Sequence, residues 1–177
     1  ELTLDPNTAA SNLCLSKDNK AVTHVSEEQP YPDHPDRFDS DPQVLCRESL
    51  SGRCYWEAEW NGDYLSIGVT YKSIQRKGNG YNSRLGDNDK SWTVNFQGHR
   101  GYIHSACHNK KKTDIFNLPP CFNRVGVFLD WPAGTLSFYG VSSDTLTHLH
   151  TFHSTFTEPL YPGFRCDDSA VRLCQII

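Results

Sequence analysis

The fold class is decided by the stretch Cys54-Tyr55-Trp56-Glu57-Ala58-Glu59-Trp60, in which the side chains alternate strictly in character. Successive side chains of an extended strand point to opposite faces, so this pattern predicts a half-buried β-strand. The run from Asp63 to Tyr71 repeats the pattern and predicts a second strand. Asn61-Gly62 stands between the two runs and is a strong hairpin signal, so the strands are predicted to pair antiparallel.

A second hairpin is predicted from Arg124 to Asp130, through a turn at 131–134, into Thr135 to Tyr139. Weaker strands are predicted at Asn12 to Leu15, Ala21 to Val25, Val44 to Cys46, Ser91 to Gln97, Gly101 to His104, Thr147 to Phe152 and Ser169 to Ile177. Ten Pro and twelve Gly argue against an all-helical fold. We therefore predict an all-β protein with two antiparallel sheets packed as a bent β-sandwich, in which a short helix near the N-terminus is possible.

Composition narrows the function classes. The 177 residues fit one domain, and the net charge of -4 removes the positive field on which nucleic-acid binding depends. Seven Cys is an odd number without a C-x-x-C pair, which favours reduced, mostly buried thiols in a cytosolic protein. With no signal peptide and no apolar run long enough for a bilayer, we expect a soluble domain without membrane contact of its own.

The order of several motifs resembles a PRY-SPRY domain. The blocks are Leu4-Asp5-Pro6, Arg37-Phe38, Val44-Leu45, Ser51-Gly52-Arg53-Cys54-Tyr55-Trp56-Glu57, Ile67-Gly68-Val69, Ser91-Trp92, Arg124 to Asp130, Ala133 to Tyr139 and Pro159-Leu160-Tyr161-Pro162. The resemblance implies one folding unit over 1–177, with a PRY part at 1–50 and a SPRY part at 51–177. The run from Asp130 to Gly134, together with Ser142 to His150, is similar to fish members of the family.

The resemblance implies a protein-protein recognition module without catalytic activity. Family members include tripartite-motif ubiquitin ligases, butyrophilins, fish innate-immune receptors of the nucleotide-binding leucine-rich type, and stonefish pore-forming toxins. We expect the sensing or substrate-recruiting domain of a cytoplasmic innate-immune protein, in which other parts supply any oligomerisation. The alternatives are a domain of a secreted fish toxin and a butyrophilin-like sensor of phosphorylated small molecules.

The resemblance also implies partner-contact positions at Ser66, Asn95, Gln97 and Phe156. Strand alternation agrees, because inward Trp92, Val94 and Phe96 would send the residues between them outward. Some family members carry aromatic anchors where this chain has Asn95 and Gln97, so the antibody-type ligand of one member is not expected here. Long loops, where recognition usually resides, are predicted at Val25 to Ser40, Lys72 to Lys90, Gln97 to Asn117 and Gly140 to Leu146. The remaining predicted contacts lie in the first three of these loops: Tyr31 and His34 in a proline-rich segment, Tyr81, and Arg100.

Two weaker hypotheses concern ions. His99, Arg100, Lys110, Lys111 and Lys112 could form an anion-binding patch, although such lysine runs are usually solvated. Two groups suggest a metal, namely His148 and His150 on one strand face with His153 nearby, and His104, Cys107 and His108 in one loop. Solvated surface histidines are the simpler interpretation, so no metal or cofactor is predicted. No nucleophile elbow, phosphate loop or metalloprotease motif occurs, which argues against an enzyme.

Overall fold

The computed structural model describes residues 1–97, 104–116 and 122–175. Regular structure in these ranges consists of β1 (Leu13–Leu15), β2 (Ala21–His24), β3 (Gln43–Leu45), β4 (Arg53–Tyr71), β5 (Ser91–Gln97), β6 (His104–His108), β7 (Lys111–Ile115), β8 (Arg124–Asp130), β9 (Thr135–Ser142), β10 (Thr145–His153) and β11 (Leu160–Leu173). The short helix that the sequence allowed near the N-terminus is not present: residues 6–8 form a turn, in which the Thr8 amide donates a hydrogen bond to the Asp5 carbonyl. No helix long and apolar enough to cross a membrane occurs in the described ranges.

The first predicted hairpin is also wrong, because β4 runs unbroken for 19 residues. β4 pairs along most of its length with β11, which places Asn61 and Gly62 opposite Ala170 and Ser169 instead of in a turn. Gly62 has φ +116°, and a Cβ there would overlap the Asp168 carbonyl oxygen. The glycine therefore allows a close approach of two backbones inside the sheet, at the point where β4 changes its other neighbour from β8 to β5.

All eleven strands belong to one antiparallel hydrogen-bonded sheet, which folds into two layers. The long strands β4 and β11 connect the layers, because each contributes one half of its length to each layer. The front sheet contains β3, the first half of β11, the second half of β4, β5, β6 and β7. The back sheet contains β1, β2, the second half of β11, the first half of β4, β8, β9 and β10.

The two layers enclose an aromatic core. Trp56 of the back sheet meets Phe164 of the front sheet edge-on, with ring centroids 5.9 Å apart. His108 of the front sheet approaches Phe152 of the back sheet at 6.4 Å. The predicted all-β sandwich is confirmed, with the refinement that its layers are continuous through two shared strands. β2 and β3 join the sheet by pairing with β11.

The hairpin of β8 and β9 is confirmed, whereas two predicted loops contain strands. The stretch from Gln97 to Asn117 holds β6 and β7, which meet at a two-residue turn where Asn109 and Lys110 have φ +51° and +68°. The stretch from Gly140 to Leu146 holds the tight turn between β9 and β10. β7 escaped prediction because it is exposed on both faces for most of its length and so lacks an apolar alternation. Of the strand predicted at Gly101 to His104, only His104 lies among the described residues.

Candidate functional site

A row of polar residues crosses the outer face of the front sheet. Paired residues of antiparallel strands share a face, and the register aligns five of them on neighbouring strands: Arg165, Ser66, Asn95, Ser105 and Asp114. The residues that alternate with them along the central strands, such as Ile67 and Val94, are buried in the core. The row therefore lies on the side of the sheet that faces away from the back sheet.

The centre of this row is a hydrogen-bonded network. The Asn95 Oδ1 accepts hydrogen bonds from Ser66 Oγ at 2.6 Å and from Thr93 Oγ1 at 3.3 Å. The Asn95 Nδ2 donates to Ser105 Oγ at 3.3 Å, so the amide bridges three strands. Asn95 is only 6% exposed and Ser66 only 1%. Both side chains lie on the outer face that strand alternation predicts, but they are buried there, and their contact with a partner stays a prediction.

The 72–90 loop, comprising residues 72–90, covers part of this face. Gly86 lies over the sheet, where a Cβ would overlap Thr93 Oγ1. The Gly86 carbonyl accepts hydrogen bonds from Cys107 Sγ at 3.1 Å and from the Lys110 amide at 3.3 Å. Burial, together with nearby Asp87, raises the pKa of Cys107 to about 11. This cover explains why Thr93, which alternation also predicted to point to solvent, is fully buried.

Buried polar side chains hold the loop in one conformation. Gln43 of β3 is fully buried, donates from Nε2 to the Ser83 carbonyl at 2.7 Å, and accepts from the Leu85 amide at 2.9 Å. Asn88 donates from Nδ2 to the carbonyls of Tyr81 and Arg84, each at 2.9 Å. The loop is therefore anchored at several points to the sheet and to itself.

Two predicted residues, Tyr81 and Lys110, come together at the edge of the outer face, which together with Arg84 is called the rim below. The Tyr81 side chain is 56% exposed, and Lys110 Nζ lies 4.1 Å from the centre of its ring, within the range of a cation–π contact. The Asn109 amide donates to the Asn88 carbonyl at 3.0 Å, which ties the β6–β7 turn to the 72–90 loop. Gln97 is exposed at the end of β5, opposite Tyr64 of β4.

Other predicted contact residues have structural roles. The Tyr31 hydroxyl donates to the Leu13 carbonyl at 2.6 Å, and the His34 Nδ1 accepts from the Asp36 amide at 3.0 Å. Phe156 is 4% exposed and packs edge-on against Trp92, with ring centroids 5.1 Å apart, so it is a core residue, and its predicted contact with a partner stays a prediction. His99 and Arg100 lie outside the described residues.

The hypotheses about ions lose support from the strand register. Lys111 pairs with His108 and Lys112 with Cys107, so the two lysines project to opposite faces and do not converge on one anion. A bulge at Leu149 likewise separates His148, opposite Tyr139, from His150, opposite Phe138, so their predicted common face is wrong. No group of three or more potential metal ligands occurs within the described ranges.

The charged residues beside the network were missed by sequence reasoning. Arg165 Nε lies 3.0 Å from Asp167 Oδ2, and its guanidinium lies 5.5 Å from the centre of the Tyr64 ring. On the 72–90 loop, Arg84 lies between Asp41 and Asp87, at 3.5 Å from each. Arg165 was missed because the last strand was predicted to begin at Ser169, whereas β11 begins at Leu160.

The prediction of mostly buried cysteines holds for only half of those in the described ranges, because Cys14 is exposed and Cys54 and Cys174 are partly exposed. The six cysteines in the described ranges are unpaired, and Cys46, Cys107 and Cys166 are buried. Burial raises the pKa of Cys166 to about 12, which keeps its thiol protonated at neutral pH. Cys121 lies outside the described residues.

Two family models match the chain. The model of the PRY (SPRY-associated) domain matches residues 2–50, and that of the SPRY domain matches residues 53–175. Stonustoxin subunit beta of Synanceia horrida is 48% identical over 169 residues, covering 96% of this chain and 24% of the toxin subunit. Tripartite motif-containing protein 16 of Mus musculus is 38% identical over 180 residues, covering 99% of this chain and 32% of that protein.

The fold agrees with a solved structure of the same type. The PSpry domain of TRIM65 superimposes with a TM-score of 0.87 at 28% identity, covering 99% of this chain and 90% of that domain. The chain thus spans about a quarter to a third of the two full-length relatives but nearly the whole of this isolated domain. From its family models, its relatives and its fold, the chain belongs to the PRY-SPRY family.

Proposed function

We propose that this chain is a recognition domain that binds another protein through the front sheet's outer face and its rim. The rim comprises Tyr81, Arg84 and Lys110, and Gln97 adjoins the polar row. One observation carries the proposal: Tyr81 is an exposed aromatic side chain on a loop that buried Gln43 and Asn88 hold in place. Exposed aromatics on rigid backbones lose little entropy on binding and often dominate interface energies.

The polar network supports the same proposal. Asn95 forms hydrogen bonds with Ser66 and Ser105. We therefore assign Asn95 and Ser66 a structural role beneath the face, in which they make no direct hydrogen bonds to the partner. The residues proposed to contact the partner directly are therefore those of the rim and Gln97. The proposed parent is a cytoplasmic innate-immune protein, such as a tripartite-motif ubiquitin ligase or a fish nucleotide-binding receptor, and the domain would recruit its target without catalysing a reaction.

The experiment is a pull-down from immune-stimulated fish cells with the wild-type domain and a Tyr81→Ala variant. Loss of a central aromatic anchor commonly costs about 2 kcal/mol, or roughly thirtyfold in affinity. Leu146→Ala is the matched control, because Leu146 is 52% exposed but lies on β10 of the back sheet. Equal recovery of a partner by wild type and Tyr81→Ala would remove Tyr81 from the interface and the proposal with it.

A second candidate is a domain of a fish toxin assembly. It is favoured by the 48% identity to stonustoxin subunit beta, against 38% to the tripartite-motif relative. In that case the same fold would belong to a secreted protein. The transcript sequence adjoining residue 1 distinguishes the candidates, because a RING and coiled coil, a nucleotide-binding receptor and a toxin body have different sequences.

A further inference from the structure

The outer edge of β7 lacks a strand partner among the described residues. β7 ends the strand order of the front sheet and pairs with β6. In a hairpin with a two-residue turn the flanking pair, here His108 and Lys111, is hydrogen-bonded, and the pattern alternates from there. The amide and carbonyl groups of Lys112 and Asp114 therefore point away from β6. No backbone hydrogen bond to these groups is formed from turns or loops in the described ranges.

Positive charge surrounds this edge. Lys110, Lys111 and Lys112 follow one another, all three are exposed, and none forms an ion pair in the part of the chain that the structure describes. Lys111 and Lys112 project to opposite faces, so a strand added at this edge would meet a lysine on each of its own faces. An extended segment with consecutive acidic residues matches this arrangement, because its side chains also alternate.

Exposed aromatic side chains lie at both ends of the edge. Tyr81 lies at the turn end, under Lys110, and Phe116, which is 76% exposed, follows the other end. The backbone from Lys111 to Phe116 spans about 17 Å at the usual rise of an antiparallel strand. Charged side chains such as lysine are one of the devices that protect an edge strand from pairing, whereas exposed aromatic rings at both ends favour contact with a partner.

We propose that the outer edge of β7 binds an extended acidic segment of another protein as an added strand. The Lys112 and Asp114 backbone groups supply hydrogen bonds to the segment, and the three lysines select its charge. A second copy of this chain fits less well, since each edge carries three lysines and one aspartate, so two edges would bring six lysines against two aspartates. The inference rests on the proposed function only in that both concern protein recognition; it assigns a neighbouring surface, which shares Tyr81 and Lys110 with the rim.

The test uses the whole chain and the acetylated, amidated peptide Thr-Glu-Glu-Val-Glu-Glu-Thr, followed by NMR of the backbone amides. We expect shifts at Lys112 and Asp114 and weaker binding as the ionic strength rises. Asp114→Pro removes an outward amide hydrogen while keeping the bonds to β6, and Asp114→Ala is its matched control, because both lack the carboxylate. Asp114→Pro should weaken binding by about tenfold relative to Asp114→Ala.

The charge contribution is tested with Lys111→Gln/Lys112→Gln, which should also weaken peptide binding by about tenfold at low ionic strength. If Asp114→Pro fails to fold, the same peptide carrying N-methyl groups at alternate residues replaces it, and wild type should not bind that peptide. Equal binding by the two Asp114 variants, shifts confined to residues around Gln97, or dimerisation through the edge would each overturn the inference. Because the variants of β7 leave Tyr81 in place, failure here is distinguishable from failure of the proposed function.

Discussion

Replacing Gln43 by Met should release the 72–90 loop from the front sheet. Gln43 is fully buried, and its amide makes two hydrogen bonds, to the Ser83 carbonyl at 2.7 Å and from the Leu85 amide at 2.9 Å. Met keeps the approximate volume but leaves both backbone groups buried without their partner. Each lost bond of this kind costs about 1–2 kcal/mol, so we expect the free energy of unfolding to fall by about 3 kcal/mol. At this chain length, that corresponds to a fall in Tm of about 6–12 °C.

Urea denaturation measures the stability change, and hydrogen exchange of the Leu85 amide measures the release of the loop. Gln75→Met is the matched control: Gln75 is exposed on the same loop and makes a single hydrogen bond, to the Lys77 carbonyl at 2.7 Å. The control should change stability by no more than about 0.5 kcal/mol. A Gln43→Met protein as stable as the control, with unchanged exchange at Leu85, would refute the assignment of Gln43 as the anchor.

Three further predictions concern the whole fold. Gly68→Ala should prevent folding, because its Cβ would overlap the Trp92 carbonyl oxygen, whereas Gly52→Ala meets no atom within 4 Å and should leave the circular dichroism spectrum unchanged. Burial lowers the pKa of His104 below its ordinary value of about 6.5, so the neutral ring is favoured in the folded state and stability falls as the pH drops from about 7 to 5. His104→Gln should show a flatter dependence in urea titrations across that range, and an unchanged slope would contradict this assignment. Deleting residues 1–50 should abolish the cooperative unfolding transition, as expected if the chain is one folding unit, and a cooperative transition in the deleted protein would contradict that prediction.

Much of the fold was predictable from local patterns. The alternation from Cys54 to Trp60 and from Ser91 to Gln97 identifies strands on which Trp56, Ala58, Trp92, Val94 and Phe96 are buried, while Cys54 and Trp60 are partly buried. The turn between β8 and β9 was also predictable, because Pro132 and Gly134 interrupt two alternating runs. These features depend on residues close together in the chain, which is why periodicity reveals them.

The errors arose where distant segments decide the conformation. Asn61-Gly62 has the chemistry of a turn, but pairing with β11 keeps it extended, and Gly62 is needed for the close approach of Asp168. β7 has no apolar alternation because most of its side chains are exposed, so only its pairing with β6 identifies it. At Asn61-Gly62 local propensity gives way to pairing, because many ladder hydrogen bonds together outweigh a single turn preference, whereas at β7 the sequence carries no local signal at all.

The candidate site divides in the same way. Strand alternation by itself determined which face Ser66, Asn95 and Gln97 occupy, because side-chain direction depends only on position along a strand. Only the tertiary structure decided that Gln97 is exposed while Asn95 is buried among Ser66, Thr93 and Ser105. The 72–90 loop in turn covers Thr93 beside Asn95, and Gln43 from a distant part of the chain holds that loop down. Exposure depends on what packs above a residue, and that contact is set by chain segments far apart in sequence.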